Sequence, residues 1–230
     1  MISVIVNTIA VIIGSLIGLL CRKGIGEKYK SAIMLAIGIC TTFIGIQGAL
    51  KGENTLVCIF SMVIGVAIGT ALDLDGKINS LAAAAEKRFA KNGENGSFAQ
   101  GFVTAFLLWC IGAMTIVGSL EAGISHDYSM IYTKSLLDFI SSMMLASSLG
   151  IGVLFAAVPL FIFQGAIVLL SGLLEPVLST SMINEITCVG SLMIFALGLN
   201  LIGLTKIKVA DFLPGIIIAP FASLLFGLII

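Results

Sequence analysis

"IYTKSLLDFISSMMLASSLGIGVLFAAVPLFIFQGAIVLLSGLL", residues 131–174, is the stretch whose reading decides the fold. If it is one membrane helix, every later segment crosses in one direction; if it is two, every later segment crosses in the other. A helix through the ~30 Å hydrocarbon core needs about 20 residues at roughly 1.5 Å rise per residue, and this stretch is about twice that long. Gly150-Ile151-Gly152 is the natural place for a break. Working outward, further apolar segments run over 2–20, 31–50, 56–72 and 101–120 before it and over 184–204 and 211–230 after it. Splitting the central stretch into 131–149 and 153–174 makes eight. Loop charge tests the split, because lysine and arginine in short loops favour the cytoplasmic side. Arg22, Lys23, Lys28 and Lys30 fill the first loop, Lys77, Lys87, Arg88 and Lys91 the third, and Lys206 and Lys208 the seventh; Lys51 and Lys134 fall elsewhere. Eight segments place all three basic loops inside and both termini outside. Seven would put the Lys206/Lys208 loop on the wrong side.

The composition agrees. With 59% hydrophobic residues, 10% charged residues and a mean hydropathy of +1.18, the chain lacks the charge to clothe a water-soluble globule. The expected class is an all-α, polytopic transmembrane bundle whose first partner is the lipid bilayer. Met1 to Val6 carries no basic stretch of the kind that opens a signal peptide, so the first segment is expected to be retained. A net charge of zero and the absence of long basic blocks give no sign of nucleic acid. Cys21, Cys40, Cys58, Cys110 and Cys188 lie in or beside apolar segments without a CxxC pair or neighbouring histidines, and read as packing residues. There is no GxSxG elbow, no paired His/Glu metal motif and no phosphate loop, so neither an enzyme nor a bound cofactor is expected.

The segments organise as a first trio (1–72), a cytoplasmic connector (73–100, including "DLDGKINSLAAAAEKRFAKNGENGS" with an alanine-rich helical middle), a polar central pair (101–152) and a second trio (153–230). "GICTTFIGIQ" (38–47) echoes "GSLMIFALGLN" (190–200): Gly38, Phe43, Gly45 and Gln47 face Gly190, Phe195, Gly198 and Asn200 after a one-residue slip. Because the second trio enters from the opposite side, the pair reads as an inverted repeat of helices 1 to 3 and 6 to 8, an architecture of secondary transporters whose sites lie near the midplane. Gly14/Gly18 and Gly65/Gly69 have the spacing of close helix packing, within the chain or in a homo-oligomer.

Polarity concentrates in "CIGAMTIVGSLEAGISHDYSMIYTKSLLDFISS", residues 110–142. Glu121, His126 and Asp127 belong to an outward-facing turn. Lys134 and Asp138 follow four residues apart on one helical face. Lys134 can snorkel outward, but Asp138 is too short to do so and needs a protein partner or a wet cavity. It either pairs structurally with Lys134 or binds a cation or proton, with Ser135, Ser141 and Ser142 within reach. The intramembrane amides Asn7, Gln47, Gln164 and Asn200 read as a polar path, and Pro159, Pro214 and Pro220 as interruptions of the helical ladder.

The block "CIGAMTIVGSLEAGISHDYSMIYTKSLLDFISSMMLASSLGIGVLFAAVPLFIFQGAIVLLSG" (110–172), with the opening "NTIAVIIGSLIGLL" (7–20), resembles the bacterial integral-membrane family catalogued as domain of unknown function 554. The resemblance covers essentially the whole chain and departs from the pattern at His126, where a glycine is expected. It implies a multi-pass transporter of the bacterial inner (cytoplasmic) membrane. Together these readings predict a secondary transporter or exchanger for a small ion or polar solute, coupled to a cation or proton. Its site would be drawn from Asp138, Lys134, Ser135, Ser141, Glu121, Asp127, Asn7, Gln47, Gln164 and Asn200. A passive ion channel and a non-transporting assembly partner are the alternatives.

Overall fold

The computed structural model describes residues 1–22, 27–80, 97–110 and 113–227. The described residues are helical throughout, joined by short turns. The helices are α1 (Ile2–Arg22), α2 (Glu27–Ala49), α3 (Thr55–Ala71), α4 (Leu74–Ser80), α5 (Ser97–Cys110), α6 (Ala113–Ile124), α7 (Ser129–Leu149), α8 (Gly152–Phe155), α9 (Ala157–Leu169), α10 (Ser171–Leu174), α11 (Thr180–Leu201) and α12 (Leu213–Gly227), with a 3-10 turn at Val209–Phe212 before the last. In lipid no water satisfies backbone groups, so a helix, which pairs them internally, is the form that these apolar runs take. Large apolar side chains stay on the outside: Ile2, Ile5, Ile9, Ile13, Leu16 and Leu20 line the exposed face of α1. On a soluble protein such a stripe would demand a partner; here lipid covers it.

The stretch that decides the parity is broken. α7 ends at Gly150, whose φ of 82° lies in the left-handed region that favours glycine. α8 starts at Gly152, and the α8–α9 junction at Ala156 falls just before Pro159, which has no backbone donor to continue the ladder. Pro159 and Pro214 therefore sit in the first turns of α9 and α12, where the donor they lack has no partner to lose; Pro220 is the proline inside a helix. Among the described residues four helices are long and apolar enough to cross a membrane: Ile2–Arg22, Gly152–Leu169, Thr180–Leu201 and Val209–Phe226. The count rises to six if the pairs Thr55–Ala71 with Leu74–Ser80 and Phe98–Cys110 with Met114–Ile124, each bent by 54°, are single broken spans. Over their described residues all eight expected segments contain helix, but two fall outside that count. The apolar part of α2, Met34–Ala49, is shorter than a span, and α7, at 21 residues, has the length but not the apolarity. The connector begins as α4; its alanine-rich middle lies outside the described residues.

The chain groups into two compact units that interleave in sequence and draw on both expected trios. The first holds Met1–Met34, Asn79–Cys110 and Met114–Glu175; the second holds Leu35–Ile78, Ile111–Ala113 and Pro176–Ile230. In the first unit α1 lies against α7 so closely that a Cβ on Gly14 would strike Ser142 and the Phe139 carbonyl, and one on Gly18 the Met143 carbonyl. Register advances together along both helices, so they run parallel. Asn7 and Val4 of α1 meet Gln164 and Val168 of α9 in the reverse order, and Trp109 and Gly101 of α5 meet Ser141 and Leu149 of α7 likewise, so those pairs are antiparallel. In the second unit Gly38, Gly45 and Gly52 of the α2 region back onto Ile202, Phe195 and Cys188 of α11, and Gly65 and Gly69 of α3 onto Gly215 and Asp211 beside α12. Both pairs are antiparallel. Every one of these directions is the one that eight alternating segments require. The same contacts correct one expectation: the Gly14/Gly18 and Gly65/Gly69 faces are occupied by the chain's own helices, which leaves neither open to a second copy.

Candidate functional site

α7 carries Lys134 and Asp138 into the first unit, each with 5% of its surface exposed. Asp138 stands nine residues after Ser129, roughly 14 Å along the axis at 1.5 Å per residue, and so near the middle of the helix. The four-residue spacing brings the Lys134 ammonium onto Asp138 Oδ2 as a buried ion pair. α1 supplies the next partner: Asn7 Nδ2 donates to the same Oδ2 at 3.1 Å and to Gln164 Oε1 of α9 at 3.0 Å. One amide thus ties three helices together around the carboxylate. The close glycine packing of α1 on α7 makes this reach possible, because a wider helix separation would carry Asn7 away from Asp138.

The cluster is not saturated. Asn7 Oδ1 and Gln164 Nε2 are buried without a hydrogen-bond partner, as are the hydroxyls of Ser3, one turn before Asn7 on α1, and Ser119 on α6. Buried polar groups are normally paired, so an unpaired acceptor and donor beside an ion pair mark a place suited to a polar guest. The helix path bends next to it. α5 stops at Cys110, which the charges of both Lys134 and Asp138 reach; the following helix leaves at 54°. Thr115 Oγ1 donates to the Trp109 carbonyl at 2.8 Å and satisfies one of the acceptors freed by that bend.

Of the ten residues singled out from sequence, the structure brings Asn7, Lys134, Asp138 and Gln164 into one hydrogen-bonded group. Ser141 borders it, accepting from Trp109 Nε1 at 3.0 Å and donating to the Asp138 carbonyl at 3.1 Å. The Ser135 hydroxyl donates back to the Ile131 carbonyl at 2.7 Å, and Ser142 to Phe139 at 2.8 Å. Glu121 is half-buried on α6 and outside the group. Asp127 is exposed: its Oδ1 accepts from the Ser129 amide at 2.9 Å, and this bond holds its carboxyl below the usual carboxylate range. The other two amides belong to the second unit. Gln47 is exposed, and Asn200 closes its own turn, donating to the Ile207 carbonyl at 2.8 Å and accepting from the Ile207 amide at 2.9 Å and from Thr205 at 2.7 Å.

Two buried carboxylates escaped the sequence reading. Glu185 on α11 is fully buried; its Oε1 accepts from the amides of Glu53 and Asn54 at 2.8 and 2.7 Å, while Oε2 has no partner. Glu53 in turn accepts from Asn184 Nδ2 at 2.7 Å, the main reason its own carboxyl lies below the usual range. Asp211, 3% exposed, accepts from the Asp75 amide at 3.0 Å and from Thr70 at 3.4 Å, and fastens the α3–α4 bend. Both clasp turns by their backbone amides. The signal available in sequence was only that each acid stands at the edge of an apolar run.

A family described as "Protein of unknown function (DUF554)" matches residues 2–224. The chain belongs to that family. Over 224 residues it is 36% identical to the Uncharacterized membrane protein YdfK of Bacillus subtilis (strain 168), covering 96% of this chain and 94% of that one. It is 30% identical over 217 residues to the Uncharacterized protein YqgA of Escherichia coli (strain K12), covering 93% and 92%. No solved structure matches. His126, just before Asp127, holds a φ of 55°, in the left-handed region that glycine enters freely and that histidine tolerates.

Proposed function

We propose that this multi-pass membrane protein is a secondary transporter or exchanger of the bacterial inner membrane, and that Asp138 binds the coupling cation or proton. The observation that carries the reading is the unsaturated cluster of Asn7, Lys134, Asp138 and Gln164 near the middle of α7. An ionisable side chain at that depth is costly and is retained where it serves an ion path or a proton relay. The bend after Cys110 supports the reading, since interrupted helices supply free backbone groups at midplane sites. An inverted repeat fits as well: Gly45 backs onto Phe195, and its counterpart Gly198 backs onto Thr42, next to the counterpart Phe43. Both termini are outside in this scheme, with Arg22, Lys206 and Lys208 on the cytoplasmic side.

The test is solute flux into proteoliposomes under imposed ion and pH gradients, for wild type and Asp138→Asn. A flux lost in a variant that still elutes as a single species supports the reading. Stepwise conductance without coupling would mark a channel. A second reading, in which the cluster only holds helices together, draws on the three-helix bridge through Asn7; there Asp138→Asn would lower folded yield and change no flux.

A further inference from the structure

We infer that Cys58 and Cys188 are a dithiol that takes an intramolecular disulfide, a cross-link between α3 and α11 within the second unit. All five cysteines are free thiols in the structure, and their places in apolar runs mark them only as packing residues. These two meet. They share one buried cluster with Val189 and Ala219, and their side chains hydrogen-bond to each other. Of the others, Cys21 and Cys40 are exposed, and Cys110 is buried in the first unit. The backbone holds the pair in place. Glu185 Oε1, which accepts from the Glu53 and Asn54 amides, pins the turn between α2 and α3 to α11. The same turn lays Gly52 on Cys188, where a Cβ would come within 2.6 Å of the sulfur. α3 then starts at Thr55 and carries Cys58 in its first turn. Both sulfurs are thus positioned by fastened main chain, and their contact is not left to side-chain rotation alone.

The reaction balances with a low-molecular-weight disulfide, RSSR, as the oxidant. The thiolate of one cysteine attacks RSSR, forms a mixed disulfide and releases RS⁻; the thiolate of the other attacks the protein sulfur of that mixed disulfide and releases the second RS⁻. Both thiol protons end on the released thiolates. One protein disulfide and two RSH replace two protein thiols and one RSSR. A metal ion is the other use for paired thiols, but among the described residues no three His, Cys, Asp or Glu side chains could hold one. Glu185, one turn before Cys188 on α11, therefore does not complete a ligand set with the pair. Its Oε2 is buried without a partner, and its charge reaches both sulfurs. A negative neighbour opposes a standing thiolate, whereas a disulfide carries no charge; this favours a lasting cross-link over a catalytic thiol, which needs its thiolate stabilised. In the orientation proposed above, the turn at Gly52 faces the outer side, where disulfides persist. The cross-link itself does not depend on the transporter reading.

The full-length protein in detergent, reduced and then freed of reductant, tests this with dithiodipyridine. This small apolar disulfide leaves a thiopyridyl group on any cysteine that reacts alone. After an acid quench and proteolysis without reductant, mass mapping should recover peptides of α3 and α11 joined through Cys58 and Cys188. The joined pair should have lost two hydrogen atoms and carry no thiopyridyl group, while the exposed Cys21 and Cys40 should each carry one. In Cys188→Ser, Cys58 should carry the group as well, because no second thiol displaces it. Oxidation should slow amide exchange at Gly52, Glu53 and Asn54 in wild type and leave it unchanged in Cys58→Ser. Cys58 and Cys188 each recovered with a thiopyridyl group, both recovered unmodified after Cys21 and Cys40 have reacted, or either one joined to a different cysteine would overturn the inference. So would a pair that reacts only after a chelator is added, the mark of a bound soft metal ion. Should either serine variant fail to fold, the wild-type mapping still decides.

Discussion

Replacing Gly14 by alanine adds one methyl group and is expected to destabilise the protein, whereas the same change at Gly172 is expected to be neutral or mildly stabilising. At Gly14 the new Cβ meets the Ser142 hydroxyl and the Phe139 carbonyl, and the second is backbone that cannot turn aside. Relieving the clash means parting α1 from α7. Overpacking of this kind costs about 1–3 kcal/mol, set against a gain of roughly 0.5–1 kcal/mol from removing glycine's conformational freedom within a helix. The net expectation for Gly14→Ala is a loss of up to about 2.5 kcal/mol, centred on about 1 kcal/mol. Gly172, in α10, has nothing within 4 Å of its would-be Cβ, so only the favourable part of the sum remains. Reversible unfolding of purified protein in mixed micelles, titrated with SDS and followed by circular dichroism, measures both. Since Asn7 reaches Asp138 across the same helix pair, Gly14→Ala should also weaken any ion response of the site, and Gly172→Ala should not. Equal stabilities for the two variants would refute the claim that glycine at position 14 sets the α1–α7 distance.

Glu185→Ala removes the acceptor of two charge-assisted amide bonds and is expected to cost about 3 kcal/mol, with Glu185→Gln, which keeps a neutral acceptor, losing about half of that; the same SDS titration reads both. Thr115→Val leaves the buried Trp109 carbonyl without its bond and should cost about 1–3 kcal/mol, with faster amide exchange at the start of α6. Asp127 carries its charge below the usual carboxylate pH, because the Ser129 amide bonds the ionised form. Its stabilisation of the α7 start is therefore complete above the unfolded carboxylate value and falls away only as pH drops through the lower folded one. The protection of Ser129 and Met130 from hydrogen exchange, taken relative to the intrinsic rate at each pH, should fall on acidification through that window, and in Asp127→Ala it should be low at all pH values.

Segment positions were readable from the chain because apolarity and length are local properties, and the break at Gly150 because alternation of the basic loops spans the whole sequence. Lys134 and Asp138 were readable as a pair since helix periodicity alone brings them together. Asn7 and Gln164 were chosen for the same reason as Gln47 and Asn200, an amide in an apolar run. What separates them is which helices meet, and no local pattern encodes that. Glu185 was placed near a helix start at Asn184, where an acid is ordinarily solvated; α11 begins earlier, at Thr180, and so carries Glu185 into the buried interior. The apolar run 211–230 makes Asp211 the first residue of the last helix, whereas it lies in the 3-10 turn and clasps the α3–α4 bend.

The parallel pairing of α1 with α7 bears on how the chain is made. α7 is too polar to count among the apolar spans, and its lysine and aspartate oppose entry into lipid until something compensates them. The amide that does so from outside the helix, Asn7, lies 131 residues earlier in the chain, so α1 is synthesised well before the two can meet. α7 is therefore expected to settle in the bilayer only where the glycine face of α1 is there to receive it. Truncations that remove α1 are expected to strand α7 outside the membrane while the later, more apolar helices still insert.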